Sequence, residues 1–282
     1  MHVTSVEPDD ATYGVGMPII LRFTPAPTDA TAFEKAVSVT VDGQDAGGAW
    51  YWEQPTDDEV KSHTIEAHYR QRQYWPAHSE IHVDLPIGGL SAGPGLVFAD
   101  ALTSVDFKIG AQHISSVDSA TLRMTVTSDG KQVAPAGETT IPVSLGDAQN
   151  PTFNGTKVVM QKGEADPKNP GKLRTDGTVM MNGPGYTNDP VPWSVRITLS
   201  GEYVHAAGWN TNIGTRSTSH GCTNLKPADG EWFYKFSQVG DVVTYANVPN
   251  TTKMPYWDGY GDWNLTWQQW TSSKLPLKAL SS

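Results

Sequence analysis

Sulfur and imidazole together can carry acyl chemistry that neither performs well alone. The single cysteine of this chain lies in the run Ser219-His220-Gly221-Cys222-Thr223-Asn224. A lone thiol has no internal disulfide partner. A free thiol titrates at about 8.5, so only a few per cent is thiolate at neutral pH unless a base or dipole is close. Two histidines are in range: His220, two positions upstream, and His205, which ends the run Tyr203-Val204-His205. Residues two apart on an extended chain point the same way but lie roughly 6–7 Å apart, beyond hydrogen-bond reach. His205 is therefore the favoured general base, brought back to the thiol by the loop 206–218, with His220 in support. Gly221, without a Cβ, permits a tight turn that aims N–H groups at a substrate oxygen.

The plainer reading of a solitary cysteine is a small buried hydrophobe. A polar, glycine-containing run is instead where reactive thiols sit. Zinc is disfavoured, because a tetrahedral site wants three or four ligands and there is no second cysteine. His78 and His82 flank a strand-like alternation after Trp75-Pro76 and read as solvent-facing histidines, as do His63 and His68. The sequence calls for no metal and no cofactor.

The elements that must position these groups are mostly β. The chain has 282 residues with 27 Gly, 20 Pro and 38% hydrophobic content, enough for two separately folding domains rich in turns. Alternating runs at 37–41, 81–85 and 105–109 predict a β-sandwich over 1–110, in which Trp50-Tyr51-Trp52 and Tyr74-Trp75 read first as core and second as a sugar platform. The boundary falls in the polar stretch 110–119. Beyond it, 122–126, 141–145, 157–160 and 242–245 read as strands, with Asp129-Gly130 as a hairpin turn. Residues 162–189 have the composition of a long loop. Pro227–Phe236 is the best helix candidate, with Trp232, Phe233 and Phe236 spaced to bury one face. The tail contains Trp257, Trp263, Trp267 and Trp270, too aromatic to be left in water.

Net charge is −10, from 20 basic and 30 acidic residues. That balance repels polyanions, so nucleic acid is not an expected partner. No segment approaches the roughly 18 apolar residues of a membrane span, and Met1-His2-Val3-Thr4 lacks a charged-then-apolar signal pattern.

His205 followed by a Gly/Asn/Thr/Ser-rich loop and then Ser-His-Gly-Cys-Thr-Asn resembles the signature of the L,D-transpeptidase (YkuD-type) catalytic domain. His205-Ala206-Ala207-Gly208-Trp209, Glu231-Trp232-Phe233-Tyr234 and Gly259-Tyr260-Gly261-Asp262-Trp263-Asn264 resemble the mycobacterial branch, and the similarity covers 111–282. The resemblance implies three parts: an immunoglobulin-like domain at 1–110, a YkuD-type catalytic domain with one or two short helices at 111–250, and a Trp-rich C-terminal extension at 251–282 packed on the catalytic domain. It implies that Cys222 attacks a peptidoglycan tetrapeptide stem, releases D-alanine and joins third residues of two stems. Carbapenems and other β-lactams are implied as covalent inhibitors. An L,D-carboxypeptidase using water, and a non-catalytic wall-binding module, are the alternatives. Gly221 and Cys222 N–H groups, with Tyr186 from a flap over the site, are the implied oxyanion donors. Met180 or Met181 is implied to line the pocket, with Ser219, His220, Asn224 and Trp209 shaping it, and the Ala206 carbonyl is implied to anchor His205. The flap carries Asp189-Pro190-Val191-Pro192 and lacks a second tyrosine that the family leads one to expect. Export, with anchoring to the membrane by a preceding segment, also follows from the resemblance.

Overall fold

The computed structural model describes residues 1–6, 10–54, 65–99, 102–169, 172–183 and 185–273. His63 lies outside them. Two compact units emerge: Met1–Gly110 together with the tail from Leu265, and Ala111–Asn264.

The first unit runs β1 (His2–Ser5), β2 (Thr12–Tyr13), β3 (Ile19–Thr24), α1 (Thr31–Ala36), β4 (Ser38–Val41), β5 (Gln44–Asp45), β6 (Ala49–Glu53), β7 (Ile65–Arg70), β8 (Glu80–Asp84), β9 (Ser91–Gly93), β10 (Leu96–Val97) and β11 (Ser104–Ile109). One sheet has the order β1-β3-β7-β6 and another β2-β11-β8-β4-β5. In β11 the period-two pattern is followed: Val105, Phe107 and Ile109 are buried while Asp106 and Lys108 face water. Phe23, Phe33, Trp52 and Phe98 meet edge-on or tilted in the core. Trp52 and Trp75 are thus core residues and not a sugar platform.

Strand β7 is buried along both faces. Its second face carries Glu66, His68 and Arg70, and there the sequence reading needs correction. His68 is buried, with Nε2 3.3 Å from both Glu53 Oε1 and Glu66 Oε2. His78 and His82 are exposed. The cause is a cover supplied by the tail. Helix α3 (Trp267–Trp270) opens on a capping box at Thr266 and Gln269. Its Trp270 stacks on Tyr51, lies 4.4 Å from the Arg70 guanidinium and donates through Nε1 to the Ala49 carbonyl at 2.8 Å. The C-terminal extension therefore does not pack as one piece on the catalytic unit. Residues 251–264 belong to the second unit, where Asn264 bonds both the N–H and the carbonyl of Thr156, whereas 265–273 complete the first.

The second unit contains β12 (His113–Asp118), β13 (Arg123–Ser128), β14 (Lys131–Val133), β15 (Ile141–Pro142), β16 (Gly155–Val158), β17 (Gln161–Lys162), β18 (Val179–Gly183), β19 (Tyr186–Val191), β20 (Val195–Arg196), β21 (Tyr203–Ala206), β22 (Thr223–Leu225), α2 (Pro227–Phe236) and β23 (Val242–Ala246), with a 3₁₀ turn at Gly261–Asn264. A six-stranded sheet has the order β14-β13-β12-β23-β16, with β15 beside β13. A four-stranded sheet has the order β17-β20-β21-β22, and β18 with β19 forms a separate hairpin. Asp129 and Gly130 both take positive φ (48° and 75°), the geometry of a two-residue hairpin turn. Helix α2 has proline in its first turn and buries Phe233. Among the described residues, no helix is long and apolar enough to cross a membrane.

Candidate active site

The site is built where β21 and β22 run side by side in parallel, with Val204 opposite Thr223 and His205 opposite Asn224. Paired residues, and residues two apart on one strand, project from the same face. That register puts His205, Asn224 and the Cys222 just ahead of β22 on one side. All three line a cleft of about 500 Å³, closed by Met181, Tyr186, Asp189, Pro190 and Val191 of the β18–β19 hairpin and by Trp209, Ser219 and His220. Residues 162–189, read from composition as a loop, thus contain a hairpin whose register sets Met181 opposite Asp189.

His205 is buried, and its Nδ1 donates to the Ala206 carbonyl at 2.9 Å. A carbonyl can only accept, so Nδ1 carries the proton and Nε2 the lone pair. Its ring stacks on Trp209 at 5.9 Å, with the tryptophan 62% exposed at the cleft mouth. Burial drives the imidazole pKa down to about 4, against the opposing pull of the Ala206 bond. Neutral His205 is therefore the resting form.

Cys222 is half-buried, and its Sγ donates to the Gly201 carbonyl at 3.7 Å. Burial pushes the thiol up to about 11; the Tyr203 backbone N–H stabilises the thiolate, Glu202 opposes it and Lys157 favours it. Both partners are uncharged at rest. A proton has to leave sulfur as a new bond to it forms, so the arrangement suits base-assisted attack better than a standing ion pair.

The turn before Cys222 is held by its own polar groups. Ser219 Oγ donates to the Cys222 carbonyl at 2.5 Å and accepts from the Gly221 N–H at 3.2 Å. Thr152 Oγ1 donates to the Gly221 carbonyl at 2.7 Å and accepts from Gly146 N–H at 2.9 Å. The Gly221 N–H, expected to meet an oxyanion, here closes the turn onto Ser219 Oγ, with Gly221 at φ 118°. Ala206 does not line the cleft either. Its side chain is buried against Gly230 of α2, where a Cβ would come within 2.7 Å, and it reaches the site only through its carbonyl. Of the two methionines only Met181 lines the cleft; neighbours on a strand face opposite ways, and the Met180 N–H bonds Glu164. Tyr186 holds its ring 5.8 Å from that of exposed His220. Asn224 Oδ1 is buried without a hydrogen-bond partner at the cleft wall.

Sequence reasoning passed over a charged pair that lies behind the Cys222 turn, against Gly221. Lys157 and Glu202 form a buried ion pair, Glu202 Oε1 accepts the Phe153 N–H at 2.8 Å, and Lys157 Nζ lies 3.8 Å from the centre of the Tyr245 ring. The available signal was a charge interrupting an apolar run, at Lys157-Val158-Val159-Met160 and again in Glu202-Tyr203-Val204.

Comparison with known proteins accords with this geometry. An L,D-transpeptidase catalytic domain matches residues 112–244 and a bacterial Ig domain matches residues 1–91. L,D-transpeptidase 1 of Mycobacterium tuberculosis is 30% identical over 243 residues, covering 86% of this chain and 83% of the relative. L,D-transpeptidase 2 of the same species is 32% identical over 267 residues; 93% of this chain is covered, and the chain spans 59% of that relative's length. Among solved structures, an LD transpeptidase in complex with imipenem superposes with a TM-score of 0.62 at 26% identity, over 86% of this chain and 97% of that one. An L,D-transpeptidase from Mycobacterium smegmatis gives 0.61 at 25% over the same shares. The chain belongs to the L,D-transpeptidase family, with an immunoglobulin-like domain ahead of its catalytic domain.

Proposed function

We propose that the chain is a cysteine-dependent peptidoglycan L,D-transpeptidase. His205 Nε2 takes the Cys222 proton while sulfur bonds to the carbonyl carbon of the third residue of a tetrapeptide stem. The C–N bond to the terminal D-alanine breaks, and the departing amine leaves with the proton from His205. The amine of a second stem then attacks the thioester, gives its proton to His205 and frees the thiol. Tyr186 and the Cys222 N–H serve the oxyanion, each such donor lowering the barrier by about 3 kcal/mol. Asn224, Trp209, His220 and Met181 form the substrate wall.

The supporting observation is the pairing of β21 with β22, which brings one thiol and one neutral imidazole with a fixed tautomer into a single cleft. The relative solved with imipenem extends the proposal to acylation of this chain by carbapenems. Mass spectrometry after exposure to imipenem tests it: the wild-type chain gains one adduct and Cys222→Ala gains none. A Cys222→Ala variant that still gains the adduct sinks the assignment. Cross-linked muropeptide dimers, as against shortened monomers, identify the acceptor as an amine. Action outside the cell membrane, on an anchor beyond this sequence, is part of the proposal; fractionation of the full-length protein with membranes checks it.

A further inference from the structure

Beneath the turn that carries Cys222 lie two charged side chains that the acyl-transfer scheme leaves unused. Lys157 is fully buried and Glu202 nearly so, and the two are in direct contact. Burying two ions costs several kcal/mol each before their attraction is counted, and an apolar pair of similar volume commonly holds a fold as well or better. Core stability alone gives these residue types no advantage here.

Their surroundings point to the nucleophile from both sides. Upstream, a Cβ placed on Gly221 would come 3.7 Å from Glu202 Cγ and 3.8 Å from its Oε1, so the carboxylate lies directly against the residue before Cys222. Downstream, Lys157 Nζ sits over the Tyr245 ring, and the Tyr245 hydroxyl is 2.7 Å from Thr223 Oγ1, on the residue after Cys222. The short segment that leads into β21 supplies the carbonyl of Gly201 and the N–H of Tyr203 that meet the sulfur, with Glu202 between them.

We propose that Lys157 and Glu202 are positioning residues for Cys222: a buried ammonium–carboxylate pair on which the Gly221-Cys222-Thr223 turn rests and whose opposite charges bear on the sulfur. The role rests on Cys222 being the nucleophile. It goes further by assigning control of that thiol to two groups that touch no substrate. Lys157 favours the thiolate and Glu202 opposes it. Other groups act on the same place. Asp258, bonded to the Ser200 N–H and Oγ at 2.7 and 2.6 Å, bears on both members of the pair. The hydroxyls of Tyr186 on the flap, Tyr203 on β21 and Tyr245 on β23 are all held above their ordinary range by burial and stay neutral through the working range. His205 and His220 complete the surroundings, and all of these are common to the variants below.

The test is the pH profile of alkylation of Cys222 by iodoacetamide, read by mass on a chain with a single thiol. It needs no substrate turnover, so it stands or falls separately from the transpeptidase assignment, which the imipenem adduct tests. Glu202→Gln keeps the shape and the acceptor for Phe153 N–H. It should shift the midpoint to lower pH, giving about tenfold faster alkylation at neutral pH for each unit moved. Lys157→Met should shift it to higher pH by a similar factor. Folded variants with the wild-type profile, or two shifts of the same sign, overturn the proposal. Should a single-charge variant fail to fold, the wild-type chain with isotope-labelled lysine supplies the answer by NMR. The Lys157 ammonium signal should move with the ionisation of Cys222, and that step should vanish in Cys222→Ala. A Lys157 signal indifferent to Cys222 overturns it equally.

Discussion

A neutral imidazole held inside a fold must respond to acid in a defined way. His205 is displaced from an ordinary 6.5 to about 4 by burial, so the unfolded chain takes up a proton that the folded chain refuses. Stability is complete above pH 6.5, falls as pH drops from 6.5 to about 4, and is flat with respect to this group below that. Over that window the loss amounts to about 3 kcal/mol, and urea denaturation at stepped pH should show it. His205→Gln should flatten this part of the curve while abolishing the imipenem adduct. The two residues to which the proposed chemistry is assigned could be picked out in the sequence, because one cysteine and a small set of histidines leave few pairings. The Nδ1 bond to a main-chain carbonyl was legible only through family resemblance, and the pairing of Lys157 with Glu202 left no more than a charge in each of two apolar runs. A charge within an apolar run looks like a surface position until the opposite charge arrives from a distant strand.

Among elements, helix α2 fixes β21 by close approach. Gly230 allows its backbone to lie on Ala206, so Gly230→Ala drives a methyl into the strand that carries His205. Overpacking of that kind costs about 1–3 kcal/mol. Thermal unfolding should show the loss, and acylation by imipenem should slow in the protein that stays folded. The helix itself was plain in the sequence, from a proline in its first turn and an aromatic spacing that buries Phe233. So was the Asp129-Gly130 hairpin, since an Asp-Gly pair tolerates two successive positive φ angles cheaply. The flap was legible by composition as irregular and by resemblance as a cover. Its hairpin register, which sends Met181 to the cleft and Met180 away, depends on cross-strand pairing with Asp189 and Pro190 that no local pattern announces.

At the scale of the molecule, the tail shows most clearly what local sequence withholds. Four tryptophans led to the expectation that it packs, yet Trp257 stays 44% exposed while Trp270 is buried, and nothing in their spacing said which would pack or on what. Trp270 is fully buried on the face of β6 and β7, with its indole N–H committed to Ala49. Trp270→Ala should lower the stability of the first unit by about 3–5 kcal/mol. In hydrogen exchange, amides of β6 and β7 should lose protection while those of β21 and β22 keep theirs, and alkylation of Cys222 should proceed at the wild-type rate. Loss of protection confined instead to the catalytic strands would contradict the packing described here.

That arrangement also fixes an order of events during synthesis. The ribosome delivers residues 111–264 before the helix that seals the first sheet emerges. The earlier-made unit therefore waits without the Trp270 ring against Arg70 and Tyr51 until the thiol-bearing unit has been produced in full, and nascent chains halted near residue 264 should be cut by protease in β6 and β7 more readily than chains that reach residue 273.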